Sequence, residues 1–130
     1  YFDFPRVQLS PAPTANPPIY IGGSSGIALR RAARVGDGYI GAGTAPDEVA
    51  ALLERLEVLR REYGREHLPF EAMLGITAAP DLALFQGLVD KGLTSTVAPP
   101  FQYALGKKQS SLDEKKRFME MYAESIIRHF

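Results

Sequence analysis

A segment rich in glycine and serine carries the clearest chemical signal in the sequence. It follows the apolar run 19–21 directly and consists of Gly22, Gly23, Ser24, Ser25 and Gly26. Glycines allow a ligand to approach the backbone closely, and the first turn of a following helix leaves N–H groups without partners. Amide donors and the helix dipole together favour a phosphate. The segment is therefore a candidate phosphate site, with the two serine hydroxyls as additional donors.

A second glycine segment follows the next apolar run and consists of Gly41, Ala42, Gly43 and Thr44. Seven of the 12 glycines lie between Gly22 and Gly43, so close backbone approach is available along both segments. The alternative interpretation is that these glycines only form tight turns and helix caps. Their spacing does not fit a GxGxxG fingerprint, and no Gly-Lys-Ser/Thr follows as in a P-loop.

The remaining polar residues identify no catalytic group. Arg30, Arg31 and Arg34 could assist an anion, but their spacing is more typical of a solvated helix face. The sequence shows no local nucleophile–base pair and no cysteine, which excludes thiolate chemistry. The 2 histidines, His67 and His129, are far apart, so we expect no metal site.

The composition is that of an ordinary globular domain, with 45% hydrophobic and 23% charged residues. Lys plus Arg and Asp plus Glu both number 15, which argues against a non-specific nucleic-acid binder. No apolar run approaches the roughly 20 residues that cross a bilayer, so we expect no membrane association and a cytoplasmic location. Because the sequence opens at Tyr1 inside an aromatic, proline-bearing stretch, we expect a segment of a longer polypeptide.

These candidate sites must be positioned by elements that the hydrophobic pattern predicts. Five of the 10 prolines fall in residues 1–18, which predicts an extended lead-in. Short apolar runs predict four strands, at 18–21, 39–41, 70–77 and 94–98, the last ended by Pro99 and Pro100. Helical spacing predicts four helices, which begin after Gly26, at a capping box Thr44–Asp47, near Asp81 and at a capping box Ser111–Glu114.

The alternation of apolar strands with helices favours parallel strands covered by helices. Four βα units make a small open sheet or half of an eight-stranded barrel, since a full barrel needs about 250 residues. We predict the second arrangement for residues 19–130: an α/β fold that is half of a TIM barrel. Both glycine segments then lie at the carboxyl ends of strands, where parallel α/β folds bind ligands.

Three blocks of the sequence resemble the second half of luciferase-like monooxygenases, most closely the class that uses the deazaflavin coenzyme F-420. They are the start Tyr1–Pro5, the segment Pro17–Tyr39 with its Gly-Gly, Ala-Leu-Arg-Arg-Ala-Ala and Gly-Asp-Gly motifs, and a closing part from Gly92 through Ser111–Lys115. The resemblance covers nearly the whole chain. It implies strands five to eight of a TIM barrel that binds FMN or F-420 and moves a hydride between this cofactor and an organic substrate.

By this resemblance, the amides of Gly22 and Gly23 hold the cofactor phosphate, Ser24–Gly26 lie beside it, and Gly41–Thr44 border the cofactor or the substrate. Relatives that oxidise sugar phosphates place a lysine shortly after the second of these strands. The present chain has none there, which argues against a sugar-phosphate substrate. The family's ring pocket and most of its acid–base residues come from the first four βα units, which this chain lacks.

Three functions remain open at this level. The first is the C-terminal part of a flavin- or F-420-dependent oxidoreductase that supplies the cofactor-phosphate site. The second is a non-catalytic half-barrel that acts as a binding or scaffold module, and the third is an unrelated phosphate-binding α/β domain. A half-barrel exposes two unpaired strand edges and an apolar interior. We therefore expect the isolated chain to be inactive, to bind cofactor weakly or not at all, and to form a homodimer or pair with a missing N-terminal half-barrel.

Overall fold

The structure, a computed structural model, describes residues 3, 5–8, 10–97 and 101–130. Residues 10–18 are exposed and contain neither helix nor strand. Four strands follow: β1 (Tyr20–Gly22), β2 (Gly38–Thr44), β3 (Glu71–Ile76) and β4 (Ser95–Thr96). The helices are α1 (Gly26–Val35), α2 (Val49–Glu62), α3 (Leu82–Asp90), α4 (Phe101–Ala104) and α5 (Leu112–Ser125), and a 3-10 helix at Ile127–His129 follows α5.

The four strands form one parallel sheet in the order β1-β2-β3-β4. Strand–helix–strand crossovers are almost always right-handed, so a sheet whose strands follow in chain order carries its helices on one face. This is the arrangement of consecutive units in a (βα)8 barrel. The predicted fold class, an α/β half-barrel with parallel strands alternating with helices, is confirmed.

The hydrophobic core lies between the helices and the covered face of the sheet. Tyr39 and Leu74 point from the sheet into this core, and both are almost fully buried. The helices contribute buried residues from α1, α2, α3 and α5, among them Leu29, Leu56, Leu88, Phe118 and Tyr122. The aromatic side chains of α5 therefore face the core, with the rings of Phe118 and Tyr122 5.9 Å apart.

The other side of the sheet carries no helix, and we call it the open face. Because side chains alternate along a strand, the parallel register assigns two rows of residues to this face. The row nearer the amino ends of the strands is Tyr20, Gly38 and Glu71, and the next row is Gly22, Ile40, Met73 and Ser95. Ile40 is 39% exposed although it lies in the middle of a strand. In a closed barrel this face would line the interior.

Local capping signals set the starts of three helices. Ser25 caps α1 and Asp81 caps α3, each by accepting a hydrogen bond from a backbone amide three residues later. Ser111 and Glu114 form the predicted capping box of α5. The longest helices, α2 and α5, have 14 residues each. No helix in the described ranges combines the length and the apolar character that a bilayer span needs.

Two predicted elements differ from the structure, and one helix was not expected. The capping box at Thr44–Asp47 is wrong: Thr44 belongs to β2, α2 begins at Val49, and Glu48 instead accepts a hydrogen bond from the amide of Ala45. Pairing of Thr44 with Ile76 in the sheet outweighs the local helix signal. The strand expected at 39–41 accordingly extends to Thr44, and the short helix α4 was not expected. The predicted strand end at residue 98 and the break at residues 99 and 100 lie outside the described residues.

Candidate functional site

The strand, glycine turn and helix expected around the first glycine segment are present. β1 ends at Gly22, and Gly23 has a φ of +120°, a conformation that favours glycine. A Cβ added to Gly23 would also lie 3.0 Å from the Cβ of Ala28. Ser25 then caps α1, with its Oγ accepting from the amide of Ala28 at 3.2 Å. The Ser25 hydroxyl therefore serves the helix, and its oxygen is already engaged.

The backbone amides of this segment are available to a ligand. The described hydrogen bonds include none donated by the amides of residues 24–27, whereas those of Ala28 and Leu29 are satisfied by Ser25. The first turn of α1 contains no acidic residue that could compensate the positive end of the helix dipole. The segment therefore presents free N–H donors and partial positive charge at the carboxyl end of β1, which is the combination that binds phosphates.

The structure adds a cation that sequence reasoning missed. A Cβ built on Gly26 would lie 3.1 Å from a guanidinium nitrogen (Nη2) of Arg55. This side chain reaches from α2 to the N-terminus of the neighbouring helix α1. A positive side chain beside the positive end of a helix is electrostatically unfavourable unless an anion lies between them. No local motif marks Arg55; only the side-by-side packing of α1 and α2 brings it to the glycine segment.

The three arginines of α1 do not contribute in the same way. Arg30, Arg31 and Arg34 are exposed, and they form no ion pair within the described part of the chain. Arg34 lies in the last turn of α1, where a cation complements the helix dipole. These positions agree with the solvated helix face that their spacing favoured.

The second glycine segment, Gly41–Thr44, offers less to a ligand than the first. A Cβ on Gly41 would lie 2.7 Å from Leu74 Cδ2 and 3.0 Å from Tyr39 Cε1, so core packing accounts for this glycine. Gly43 has a φ of +69° and forms the irregular part of β2. Thr44 is buried, and its carbonyl accepts from the amide of Thr77 at 2.9 Å. Ala42 is exposed.

The two glycine segments lie together at the carboxyl ends of β1 and β2. The hydroxyl of Tyr39, the second residue of β2, donates to the carbonyl of Gly23 at 2.9 Å. Burial raises the pKa of Tyr39, so this phenol stays protonated as a donor. Tyr39 thus stabilises the turn that contains these amides. Because its side chain is buried in the core, we assign it a structural role and not a reactive one.

A polar cluster lies at the opposite, amino end of the strands. The hydroxyl of Tyr20 donates to Glu71, and this hydrogen bond lowers the pKa of Glu71 and raises that of Tyr20. Asp37 accepts a hydrogen bond from the amide of Ile19 at 2.8 Å and so stabilises the backbone just before β1. Glu71 was not singled out from the sequence because its apolar neighbours mark only a strand.

The larger cavities do not coincide with the glycine segments. A cavity of about 430 Å³ lies at the amino end of the sheet and is lined in part by Tyr20, Asp37 and Glu71. An apolar cavity of about 350 Å³ lies along β4 and includes Phe85 and Phe130. The candidate phosphate site at the first glycine segment therefore lies on the surface, outside these two cavities. His67 lies in an exposed loop, and no group of three His, Cys, Asp or Glu suited to a metal occurs among the described residues.

Comparison with known proteins agrees with the fold described above. The family model of luciferase-like monooxygenases matches residues 1–82. An uncharacterized protein of Mycobacterium bovis and uncharacterized proteins of two strains of Mycobacterium tuberculosis are each 37% identical to the chain over 128 residues. The alignments cover 98% of this chain but only 44% of each relative, so the chain spans less than half of their length. Luciferase-like proteins generally bind flavin-type cofactors. The chain belongs to the luciferase-like monooxygenase family.

Proposed function

We propose that this chain supplies the cofactor-phosphate site of a luciferase-like oxidoreductase that transfers a hydride between a flavin-type cofactor and an organic substrate. The observation that carries the proposal is the position of Arg55 beside Gly26, at a helix N-terminus that has free amides and no acidic residue. An anion placed there would accept hydrogen bonds from the amides and separate two positive charges.

Both cofactors expected for the family fit the requirement for an anionic group. FMN ends in a phosphate monoester, and F-420 contains a phosphodiester. The amides of residues 24–27 and the Arg55 guanidinium would hold either group, since guanidinium pairs well with phosphate oxygens. When bound, the cofactor supplies the site that gives or accepts the hydride. The role of the present residues is to fix its tail and thereby its position.

The remaining parts of the proposal follow from the sequence. Residues Gly41–Thr44 would border the cofactor or the substrate, chiefly through exposed Ala42 and the turn at Gly43. The missing lysine after β2 argues against a sugar phosphate as the substrate. The cytoplasmic location expected from the sequence remains part of the proposal.

The test compares ligands that differ only in the phosphate. FMN, riboflavin and F-420 are titrated into the chain while cofactor fluorescence and thermal stability are followed. FMN should bind more tightly than riboflavin and raise the melting temperature, because a ligand of the native state stabilises it. Arg55→Ala should weaken FMN binding by about tenfold, the loss of roughly one charge-assisted hydrogen bond.

Arg61→Ala provides a matched control on the same helix. Arg61 is exposed and pairs with Glu57 at 2.5 Å, so its removal should leave FMN binding unchanged. Equal affinity for FMN and riboflavin, or equal loss in both variants, would contradict the phosphate site. If simple phosphorylated metabolites bind but neither cofactor does, the chain is a phosphate-binding domain of another kind. If no ligand binds, the non-catalytic scaffold becomes the better account.

A further inference from the structure

Helix α1 concentrates positive charge on its solvent-facing side. Its 10 residues include Arg30, Arg31 and Arg34 but no acidic residue, although acidic and basic residues balance at 15 each over the whole chain. All three arginines are exposed, because the opposite side of the helix, with Leu29 and Ala32, packs into the core. We call these three residues the arginine row. Like charges three and four residues apart on a helix repel one another, so an anion lying along the row would stabilise it.

The described part of the chain provides no counter-ion for the arginine row. None of the ion pairs among the described residues includes a residue of α1. In contrast, Arg61 on α2 and Arg128 after α5 each pair with a glutamate four residues earlier. The guanidinium groups of the row are therefore available to an anion from outside the described chain.

The arginine row begins next to the proposed phosphate site. Arg30 and Arg31 lie in the second turn of α1, about 6–8 Å along the axis from the start of the helix, and Arg34 lies about one turn further. Side chains in a helix lean towards its N-terminus, which brings these guanidinium groups back towards the free amides of residues 24–27. An anion bound by the amides thus has further cations beside it, on the solvent side of the helix.

Of the two cofactors considered for this site, only F-420 continues beyond its phosphate as a chain of negative charges. FMN ends at the phosphate monoester. In F-420 the phosphodiester leads through a lactyl unit to a series of γ-linked glutamates, each with a free carboxylate. Guanidinium groups form strong, charge-assisted hydrogen bonds with carboxylates. A row of cations that starts beside the phosphate and continues away from it matches this tail and has no counterpart in FMN.

We infer that the arginine row binds the oligoglutamate tail of F-420 and thereby favours F-420 over FMN. The inference rests on the proposed function, because the phosphate must occupy the amides for the tail to reach the row. It adds a binding surface outside the phosphate site and names the cofactor. Because an exposed ion pair contributes little by itself, we expect three of them together to raise the affinity by about tenfold.

The experiment compares forms of F-420 that differ only in the tail. F-420 with its oligoglutamate tail and the tail-free form, which ends at the lactyl group, are titrated into the chain at low ionic strength while deazaflavin fluorescence is followed. The tailed form should bind about tenfold more tightly. Added salt should reduce this preference, because salt screens exposed charges.

Replacement of the arginine row by glutamines removes the charges and keeps long, polar side chains. The triple variant Arg30→Gln, Arg31→Gln, Arg34→Gln should bind both forms with the affinity that the unmodified chain has for the tail-free form. Should the triple variant fail to fold by circular dichroism, Arg31→Gln alone decides, and it should reduce the preference for the tailed form by about twofold.

A matched control removes the same number of positive charges elsewhere. Lys108, Lys116 and Arg117 are exposed, and they form no ion pair among the described residues. Replacement of these three residues by glutamine should leave the tenfold preference unchanged, since they lie outside α1. Loss of the preference in this control would mean that overall charge, and not the arginine row, attracts the tail, and would overturn the inference.

Equal affinity of the unmodified chain for the tailed and tail-free forms would also overturn the inference, as would a preference that survives in the glutamine variants of the row. If FMN and tail-free F-420 still bind in a manner that depends on Arg55, the proposed phosphate site stands without the tail site. If neither of these two ligands binds and tailed F-420 does not bind either, the proposed function fails and the inference fails with it.

Discussion

Gly38 shows how a single residue position shapes the open face. The ring of Tyr20 lies across this glycine on its way from β1 to Glu71 on β3. A Cβ at residue 38 would lie 2.4 Å from Tyr20 Cδ1 and 2.8 Å from the backbone oxygen of Glu71. The glycine is therefore required by close approach within the fold, whereas Gly23 has a positive φ in the turn that we propose as the phosphate site.

Replacement of Gly38 should consequently be costly. Gly38→Ala forces the Tyr20 ring and a strand carbonyl apart, and overpacking of this kind lowers the free energy of unfolding by about 2 kcal/mol. Gly87→Ala is the matched control: Gly87 lies inside α3 with nothing within 4 Å of an added Cβ. Alanine there should raise stability by up to about 1 kcal/mol. Urea denaturation of both variants measures the difference, and similar effects in the two would contradict the packing argument.

Two polar residues described above, Arg55 and Glu71, could not be identified from the sequence. The candidate amides at residues 22–26 are visible from glycine content and the following helix pattern. Arg55 is not, because it comes close to Gly26 only through the packing of two helices whose sequences are far apart. Glu71 is hidden for a related reason, since its partner Tyr20 is 51 positions earlier in the chain. Local patterns predict turns and helix starts, whereas the neighbours of a side chain in the folded chain depend on long-range packing.

Among the elements, β4 is held to the sheet by side-chain hydroxyls as well as by backbone hydrogen bonds. The strand has only two residues, and the hydroxyl of Thr94 just before it both accepts from the amide of Ala72 at 2.7 Å and donates to its carbonyl at 3.1 Å. Thr96 donates to the carbonyl of Leu74 at 2.8 Å. These hydroxyl groups extend a backbone ladder that would otherwise be short.

Removal of one hydroxyl should therefore loosen the sheet edge. Thr94→Val leaves the amide of Ala72 without its side-chain acceptor, which should lower the free energy of unfolding by about 1–2 kcal/mol. Amide hydrogen exchange at Ala72 should quicken at the same time. Thr14→Val, in the exposed lead-in, should change neither quantity. Unchanged exchange at Ala72 in Thr94→Val would show that the hydroxyl is not what protects this amide.

The elements differ in how far local sequence determines them. Helices α3 and α5 begin where Asp81 and Ser111 predict, because a capping side chain acts within three residues. Helix α1 begins at Gly26, slightly before the predicted start, with Ser25 as its cap. The capping pattern at Thr44 fails because the same residue is paired in the sheet with Ile76. Sheet pairing is a long-range effect, and a single-sequence pattern cannot weigh it against a local cap.

At the scale of the whole molecule, the carboxyl and amino ends of the strands present different polar groups. The carboxyl ends present free amides and Arg55, which we propose as the grip on the cofactor phosphate. The amino ends present Tyr20 and Glu71 on the open face, where the Tyr20 hydroxyl donates to the Glu71 carboxylate. This division agrees with parallel α/β barrels, in which the carboxyl face carries function and the amino face stability.

The most direct measurement of the central claim is an amide NMR titration of the chain with FMN, with riboflavin as the comparison. FMN should shift the amide resonances of residues 24–27 and the guanidinium signal of Arg55, even at low affinity, while riboflavin leaves them in place. FMN-induced shifts that map to the cavities by β4 or at the amino end of the sheet instead would contradict the proposed phosphate site, as would equal shifts with riboflavin.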